Sequence, residues 1–198
     1  MTKTHTKIEF ELSVATDPGW VQVILANFDE FMQDHANCER KASALALSLA
    51  MKYADRKKLI PHMIRLAQEE LEHFAEVYEL MEARNLGLGN EIKDPYVNAL
   101  LAHCRTEPEL RFLDRMLVSS VIEARGAERF GIIAEAIEDP ELKAFYKRLW
   151  AAEKKHGHLF ANLMLHYFDE ATIRTRLDEL LSAEGKIIAT LEWRPSLH

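Results

Sequence analysis

The sequence predicts an all-α protein: an antiparallel four-helix bundle with an additional C-terminal helix. Three observations carry this. Apolar residues recur at steps of three and four along four long stretches, the pattern of helices with one buried face. Only 7 Gly and 6 Pro occur in 198 residues, which leaves little room for a turn-rich β fold. Two lone Glu and two Glu-x-x-His stretches are spaced as antiparallel helix pairs would space them.

In chain order, residues 1 to about 15 are a polar lead-in with a short alternating run, Ile8 to Leu12, which reads as a strand-like arm or an extended cover. Asp17-Pro18 then reads as an N-cap with proline in the first turn. From there to about Ala54 a seam of Leu25, Phe28, Met32, His35, Glu39, Ala42, Ala46, Leu49 and Tyr53 predicts one helix. The second starts near Asp55 and runs to about Arg84, with Pro61 kinking or delaying its first turn. Its seam is Met63, Leu66, Glu70, His73, Val77 and Met81, and Asn85-Leu-Gly87 is a helix stop.

Residues 85–94 read as a loop, followed by a short helix from Asp94-Pro95 to Arg105. Thr106-Glu-Pro-Glu109 restarts the chain as a capping-box-like signal. The third long helix has Leu113, Met116, Ser120, Glu123, Ala127, Phe130, Ala134 and Ile137 on one face. Asp139-Pro140 caps the fourth, whose seam is Leu142, Phe145, Leu149, Glu153, His156, Phe160, Leu163 and Tyr167. A fifth helix runs roughly from Asp169 to Leu191. The length suits a single domain over residues 1–198, with an arm at 1–16 and a tail at 192–198.

Composition excludes several classes. The formal net charge of −7 gives no general basic field for nucleic acid. If four core Glu were neutralised by metal, the remainder would be −7 + 4 = −3, which tolerates a local basic patch. Cys38 and Cys104 form no Cys-x-x-Cys pair, so neither a disulfide scaffold nor a zinc site is expected, and a reducing cytosol fits. No apolar run is long enough for a membrane span, and Met-Thr-Lys-Thr-His is not followed by an apolar signal region. The expectation is a cytoplasmic protein without membrane contact.

The candidate site is Glu39, Glu70-Leu-Glu-His73, Glu123 and Glu153-Lys-Lys-His156. Glu39 to Glu70 is 31 residues and Glu123 to Glu153 is 30; the second set follows the first by 84 and 83 positions. A single Glu-x-x-His means little, since 9 His and 23 Glu in 198 residues give roughly one by chance, and two occur. Spacing raises the signal. Turn signals at Asp55 and Asp139-Pro140 lie midway in each half, so at about 1.5 Å per residue each lone Glu returns to the level of its Glu-x-x-His. Residues three apart share a helix face, and all six candidates fall on apolar seams. Buried carboxylates cost several kcal/mol each unless something cationic compensates them. Two iron or manganese ions would balance four Glu, and hard oxygen donors with one imidazole per metal suit those ions.

Weaker candidates stand beside these. His35 lies one turn before Glu39, and either it or Asp34 could hold a ligand by hydrogen bond or simply pack. Trp150 and Tyr146 read as core aromatics rather than redox relays. Glu69 and Glu72 point off the seam into solvent. Lys154 and Lys155 face outward, and with Lys143, Lys147 and Arg148 they form a basic strip or an ordinary solvated face.

Asp-His-Ala-Asn-Cys-Glu-Arg-Lys-Ala-Ser (34–43), Glu-Glu-Leu-Glu-His-Phe (69–74) and Val-Ile-Glu-Ala-Arg-Gly-Ala-Glu-Arg-Phe (121–130) resemble the tRNA 2-methylthio-N6-isopentenyladenosine hydroxylases. The resemblance spans about Trp20 to Phe160; Glu153-Lys-Lys-His-Gly-His158 departs from the family pattern while keeping its ligands. It implies a ferritin-like, non-haem di-iron monooxygenase that hydroxylates the isopentenyl group next to the tRNA anticodon. Glu39, Glu70, His73, Glu123, Glu153 and His156 would hold two Fe ions, with Mn possible as purified and Glu70 and Glu153 as bridges. O2 would be the co-substrate, and electrons would come from a separate reductase, because no flavin, nicotinamide or Fe–S motif is visible. No side chain need act as nucleophile or general base. The implied partners are the anticodon stem-loop of tRNA and that electron-transfer protein, with the chain a monomer or weak dimer. The alternatives are a ferritin-like oxidase or oxygenase on another apolar substrate, or rubrerythrin- or ferritin-type iron or peroxide handling.

Overall fold

Three of the helices begin where an aspartate offers its carboxylate to bare N–H groups. In a computed structural model, which describes residues 7–90 and 92–198, seven helices and no strand are found among the described residues. They are α1 Trp20–Ala26, α2 Phe28–Lys52, α3 Ile60–Ala83, α4 Pro95–Leu101, α5 Pro108–Ala136, α6 Pro140–Met164 and α7 Glu170–Thr190. The first six residues of the predicted lead-in, and Glu91 in the predicted 85–94 loop, lie outside the described residues. Asp94 accepts from Val97 N–H (3.1 Å), Asp139 from Glu141 and Leu142 (2.9 and 3.0 Å), and Asp169 from Thr172 (2.9 Å). Each fills donors a helix start leaves open.

Other boundaries differ from the sequence reading, and each has a local cause. The predicted first helix is two, broken at Asn27 (φ −134°, ψ 44°). The Asn27 amide donates to the Val23 carbonyl (3.0 Å), the kind of side-chain competition that interrupts a helix. Gly19, not Asp17, holds the N-cap position of α1, and the buried Trp20 opens the helix. Residues 53–59 turn tightly through Arg56 N–H to Tyr53 O (2.9 Å) and Leu59 N–H to Arg56 O (2.8 Å) before α3 begins. Pro61 sits in the first turn of α3, where its missing N–H costs nothing, so it delays the helix rather than kinking it. At the other end Asn85, not Gly87, takes the left-handed backbone (φ 58°). Leu86 N–H bonds Met81 O (2.9 Å) and Asn85 N–H bonds Glu82 O (2.9 Å), the two bonds of a Schellman stop. The Thr106 capping box does not form: Glu107 precedes α5 without a side-chain cap, and Pro108 sets the first turn instead.

The described chain falls into two compact units. One comprises Pro18–Lys93 with Trp193–Leu197. Here α2 and α3 pack antiparallel over Phe31, Met32, Leu49, Met63 and Leu66, all buried. The Ser43 hydroxyl donates to Ala67 O (2.7 Å), which fixes the register of this pair four residues past Glu39 and three before Glu70. In the tail, Leu197 N–H donates to Asp34 Oδ2 (2.8 Å).

The other unit holds the arm, α4, α5, α6 and α7. α5 and α6 run antiparallel: Ser120 donates to Gly157 O (2.6 Å) and accepts from Ala161 N–H (3.0 Å). Gly157 is required by this closeness, since a Cβ there would lie 3.3 Å from the Ala124 backbone nitrogen. The arm is an extended cover, not a strand. Ile8 is buried, its N–H donates to Asn162 Oδ1 (2.8 Å), and its carbonyl accepts from Asn162 Nδ2 (2.9 Å).

Candidate metal centre

Each unit gathers one Glu and one Glu-x-x-His. In the first, α2 supplies Glu39 and α3 supplies Glu70 and His73; one donor atom from each lies within 4.8 Å of the others. His73 Nδ1 is 3.6 Å from both Glu39 Oε2 and Glu70 Oε2. Glu39 and Glu70 are buried and His73 is nearly so. In the second unit α5 supplies Glu123 and α6 supplies Glu153 and His156, again with donor atoms inside 4.8 Å. His156 Nδ1 stands 3.0 Å from Glu153 Oε2, both buried, and Glu123 is half-buried.

Helical spacing explains the convergence. A Glu and a His three apart point the same way, and the register set by Ser43 and Ser120 brings the lone Glu of the neighbouring helix to their level. Two carboxylates and one imidazole per triad form a hard donor set that fits iron or manganese better than a thiol-seeking metal.

His35 settles its own open reading. Its ring is fully buried, stacked on Phe31 (5.8 Å between centroids), with Nε2 2.8 Å from Glu39 Oε1. It therefore orients a candidate ligand. Asp34 does not: Oδ2 takes Leu197 N–H and the Cys38 thiol (3.7 Å). Tyr146 is core as expected, but Trp150 is not; 43% of it is exposed, because Leu149 and Tyr146 take the inward positions of that turn. Glu69, Glu72, Lys154 and Lys155 are exposed as expected.

The sequence reading missed a buried ionic cluster behind Glu123. Arg125 and Glu184 are both 0% exposed, joined by Nε to Oε1 (2.7 Å) and Nη2 to Oε2 (3.0 Å). Arg125 also donates to Glu128, to Thr16 Oγ1 (3.0 Å) and to Val14 O (2.7 Å). Tyr96 donates its hydroxyl to Glu184 Oε1 (3.1 Å). Burial, then the Glu184 charge beside it, raises the Tyr96 phenol well above its ordinary value, so it stays protonated and remains a donor. Burial and the Arg125 charge pull Arg129 down to about 10. The legible signal was Arg125-Gly-Ala-Glu-Arg129, charges amid small and apolar residues; their partners are far away in sequence.

Helices throughout the described residues, with paired carboxylate–imidazole triads that fit a metal site, define a ferritin-like protein. The profile of the tRNA-(MS[2]IO[6]A)-hydroxylase (MiaE) family matches residues 2–198. The chain belongs to that family of hydroxylases. A tRNA 2-(methylsulfanyl)-N(6)-isopentenyladenosine(37) hydroxylase from Pseudomonas putida is 33% identical over 192 residues, 97% of this chain and 93% of that protein. One of the same description from Salmonella typhimurium is 36% identical over 100 residues, 50% of this chain and 37% of that protein. A solved structure, "Protein 43 with aldehyde deformylating oxygenase activity from Synechococcus", superposes with TM-score 0.91 at 34% identity, covering 96% of each chain. Among the described residues no helix is long and apolar enough to cross a membrane.

Proposed function

We propose that this protein hydroxylates the isopentenyl group of 2-methylthio-N6-isopentenyladenosine next to the tRNA anticodon. In this reading Glu39, Glu70, His73, Glu123, Glu153 and His156 together hold two iron ions, and residues 1–198 act as one ferritin-like domain. The observation that carries it is the repeated triad: the same ligand order in each unit, each closing to within 4.8 Å, on a chain that belongs to a hydroxylase family. Two irons held there would supply O2 activation, with electrons from a separate reductase.

The chain's own residues do the positioning. His35 fixes one Glu39 oxygen, which leaves the other to face inward. Ser120 and Gly157 hold α5 against α6, so Glu123 keeps its level with Glu153 and His156. The apolar seams around both triads exclude water, which favours hydroxylation of substrate over loss of reducing equivalents to solvent. Binding of tRNA needs cations despite the acidic total, and phosphate contacts would make affinity fall with salt.

A second reading is favoured by the likeness to a protein with aldehyde deformylating oxygenase activity: chemistry on a free apolar aldehyde. One experiment separates them. Iron-loaded protein with a competent reductase and O2 is given isopentenylated tRNA or a long-chain aldehyde, and products are followed by mass spectrometry. Hydroxylated nucleoside supports the proposal. Unchanged tRNA alongside consumed aldehyde refutes it. In cells, tRNA from a strain lacking the protein should lose the hydroxylated nucleoside and accumulate its precursor.

A further inference from the structure

The outward face of α6 carries a feature that the ligand chemistry leaves unused. Lys147, Arg148, Lys154 and Lys155 are exposed along it. From Lys143 to Asn162 its sole acid is Glu153, which is turned inward and buried. On a chain of net charge −7 this acid-free strip is a local reversal of sign. Trp150 stands in the middle of the strip, exposed, a state that among the other Phe, Tyr and Trp residues only Trp193 shares. Its indole rests on Gly131 of α5, where a Cβ would lie 3.4 Å away, and Lys154 Nζ stands 6.0 Å from the ring centroid.

A groove of about 720 Å³ opens beside the indole, lined by Lys7, Trp150, Lys154, Lys155, His158 and Asn162. An adjoining cavity of about 320 Å³ shares Trp150, Lys154 and His158 and reaches Ala124 and Gly157. Those two residues are the chain neighbours of Glu123 and His156. Two acids, Glu11 and Glu128, line this second cavity, and Glu128 is already engaged by Arg125. Lys7 pairs at the surface with Glu9 (2.9 Å).

We propose that this groove is the RNA subsite of the enzyme: Trp150 stacks on a base flanking the modified adenosine, and Lys154, Lys155 and Lys7 hold the adjoining phosphates. The inference rests on the tRNA reading above and narrows it to named side chains. An aromatic wall in a groove among cations suits a single-stranded loop, whose bases splay out and stack while its phosphates follow the charge. Stacking of this kind is indifferent to base identity, so the groove would grip a neighbour and leave choice of the target to the metal site.

The test uses the full-length, metal-loaded protein and a fluorescently labelled anticodon stem-loop hairpin carrying the isopentenylated adenosine, titrated by anisotropy at several salt concentrations. Trp150→Ala should weaken binding by roughly tenfold or more, with Trp150→Phe recovering most of it. Lys154→Ala with Lys155→Ala should weaken binding and lower the salt slope by about 1–2. In turnover both losses should appear in KM. Trp193→Ala, an exposed tryptophan elsewhere, should leave affinity as it was. All these side chains are exposed, so melting temperatures serve as the folding control. If both groove variants bind as wild type does, while wild type binds and hydroxylates the hairpin, the subsite is refuted and the function stands. If wild type neither binds nor hydroxylates it, the tRNA reading fails and this one with it. If the variants keep RNA affinity but lose only reductase-driven turnover, the groove belongs to the electron-transfer protein, and the RNA subsite is again refuted.

Discussion

Glu184→Ala tests the buried ionic cluster that holds α5 in place. The substitution removes both carboxylate oxygens from Arg125 Nε and Nη2 and takes the acceptor from the Tyr96 hydroxyl. What remains around the fully buried guanidinium is Glu128, Thr16 and the Val14 carbonyl, with Arg129 adding a like charge. Breaking a buried pair by removing one partner costs about 3–5 kcal/mol. For a chain of this size that is a melting-temperature drop of roughly 6–20 °C, read by calorimetry on metal-loaded protein at neutral pH. Glu184→Gln, which keeps the shape and loses the charge, should fall between wild type and Glu184→Ala. Arg125→Met combined with Glu184→Leu should lose less than Glu184→Ala alone, because it strands no charge on Arg125. A drop below about 3 °C for Glu184→Ala would show that solvent or rearrangement satisfies Arg125, and that the cluster does not hold α5.

Four other outcomes follow from the same geometry. Glu70→Ala should abolish hydroxylation while leaving the affinity of the RNA hairpin nearly unchanged; a parallel loss of binding would place Glu70 in RNA contact. Chelated protein should melt lower than loaded protein at neutral pH, because its carboxylates crowd without a cation, and mild acid should narrow the gap; equal melting across that range would remove the metal from the site. His35→Ala should cost roughly 10–100-fold in affinity for Mn(II) or Fe(II), measured by anaerobic titration, and unchanged affinity would reduce His35 to packing. Burial raises Asp94, but the hydrogen bond and charge of His198 and the Tyr96 and Val97 N–H groups outweigh it and hold it at about 2. A depressed carboxylate stabilises above its ordinary value near 3.8 and loses that stability as pH falls towards 2, so wild type should lose its advantage over His198→Ala across that window.

The six candidate ligands were legible because helical geometry converts sequence distance into spatial level. Glu39 and Glu70, 31 apart across a turn, can meet only if the chain rises and returns by equal amounts, and Ser43 against Ala67 shows that it does. Breaks and partners that depend on one side chain's choice were not legible. Asn27 is as acceptable in a helix surface as at a break until its amide finds the Val23 carbonyl. Arg125 and Glu184 are 59 residues apart, and nothing in the periodicity of α5 or α7 says that two charged residues on different helices will be buried together. Trp150 was placed in the core because it stands three before Glu153, yet a helix turn has room for only so many inward side chains. Leu149 and Tyr146 had already filled it.

The repeat in this chain is a repeat of ligands and not of their surroundings. One turn before Glu39 stands His35, whose ring nitrogen lies on the carboxylate; the matching position before Glu123 is Ser119, whose hydroxyl is given to the Arg115 carbonyl (3.0 Å). After His73 comes Phe74, whereas after His156 comes Gly157, which lets α5 approach α6 closely enough for Ser120 to bond its carbonyl. A carboxylate that already accepts an imidazole N–H offers less charge on that oxygen and is fixed in direction, and this is what His35 does to Glu39. It is therefore the difference between His35 and Ser119, not the shared Glu-x-x-His, that distinguishes the two halves.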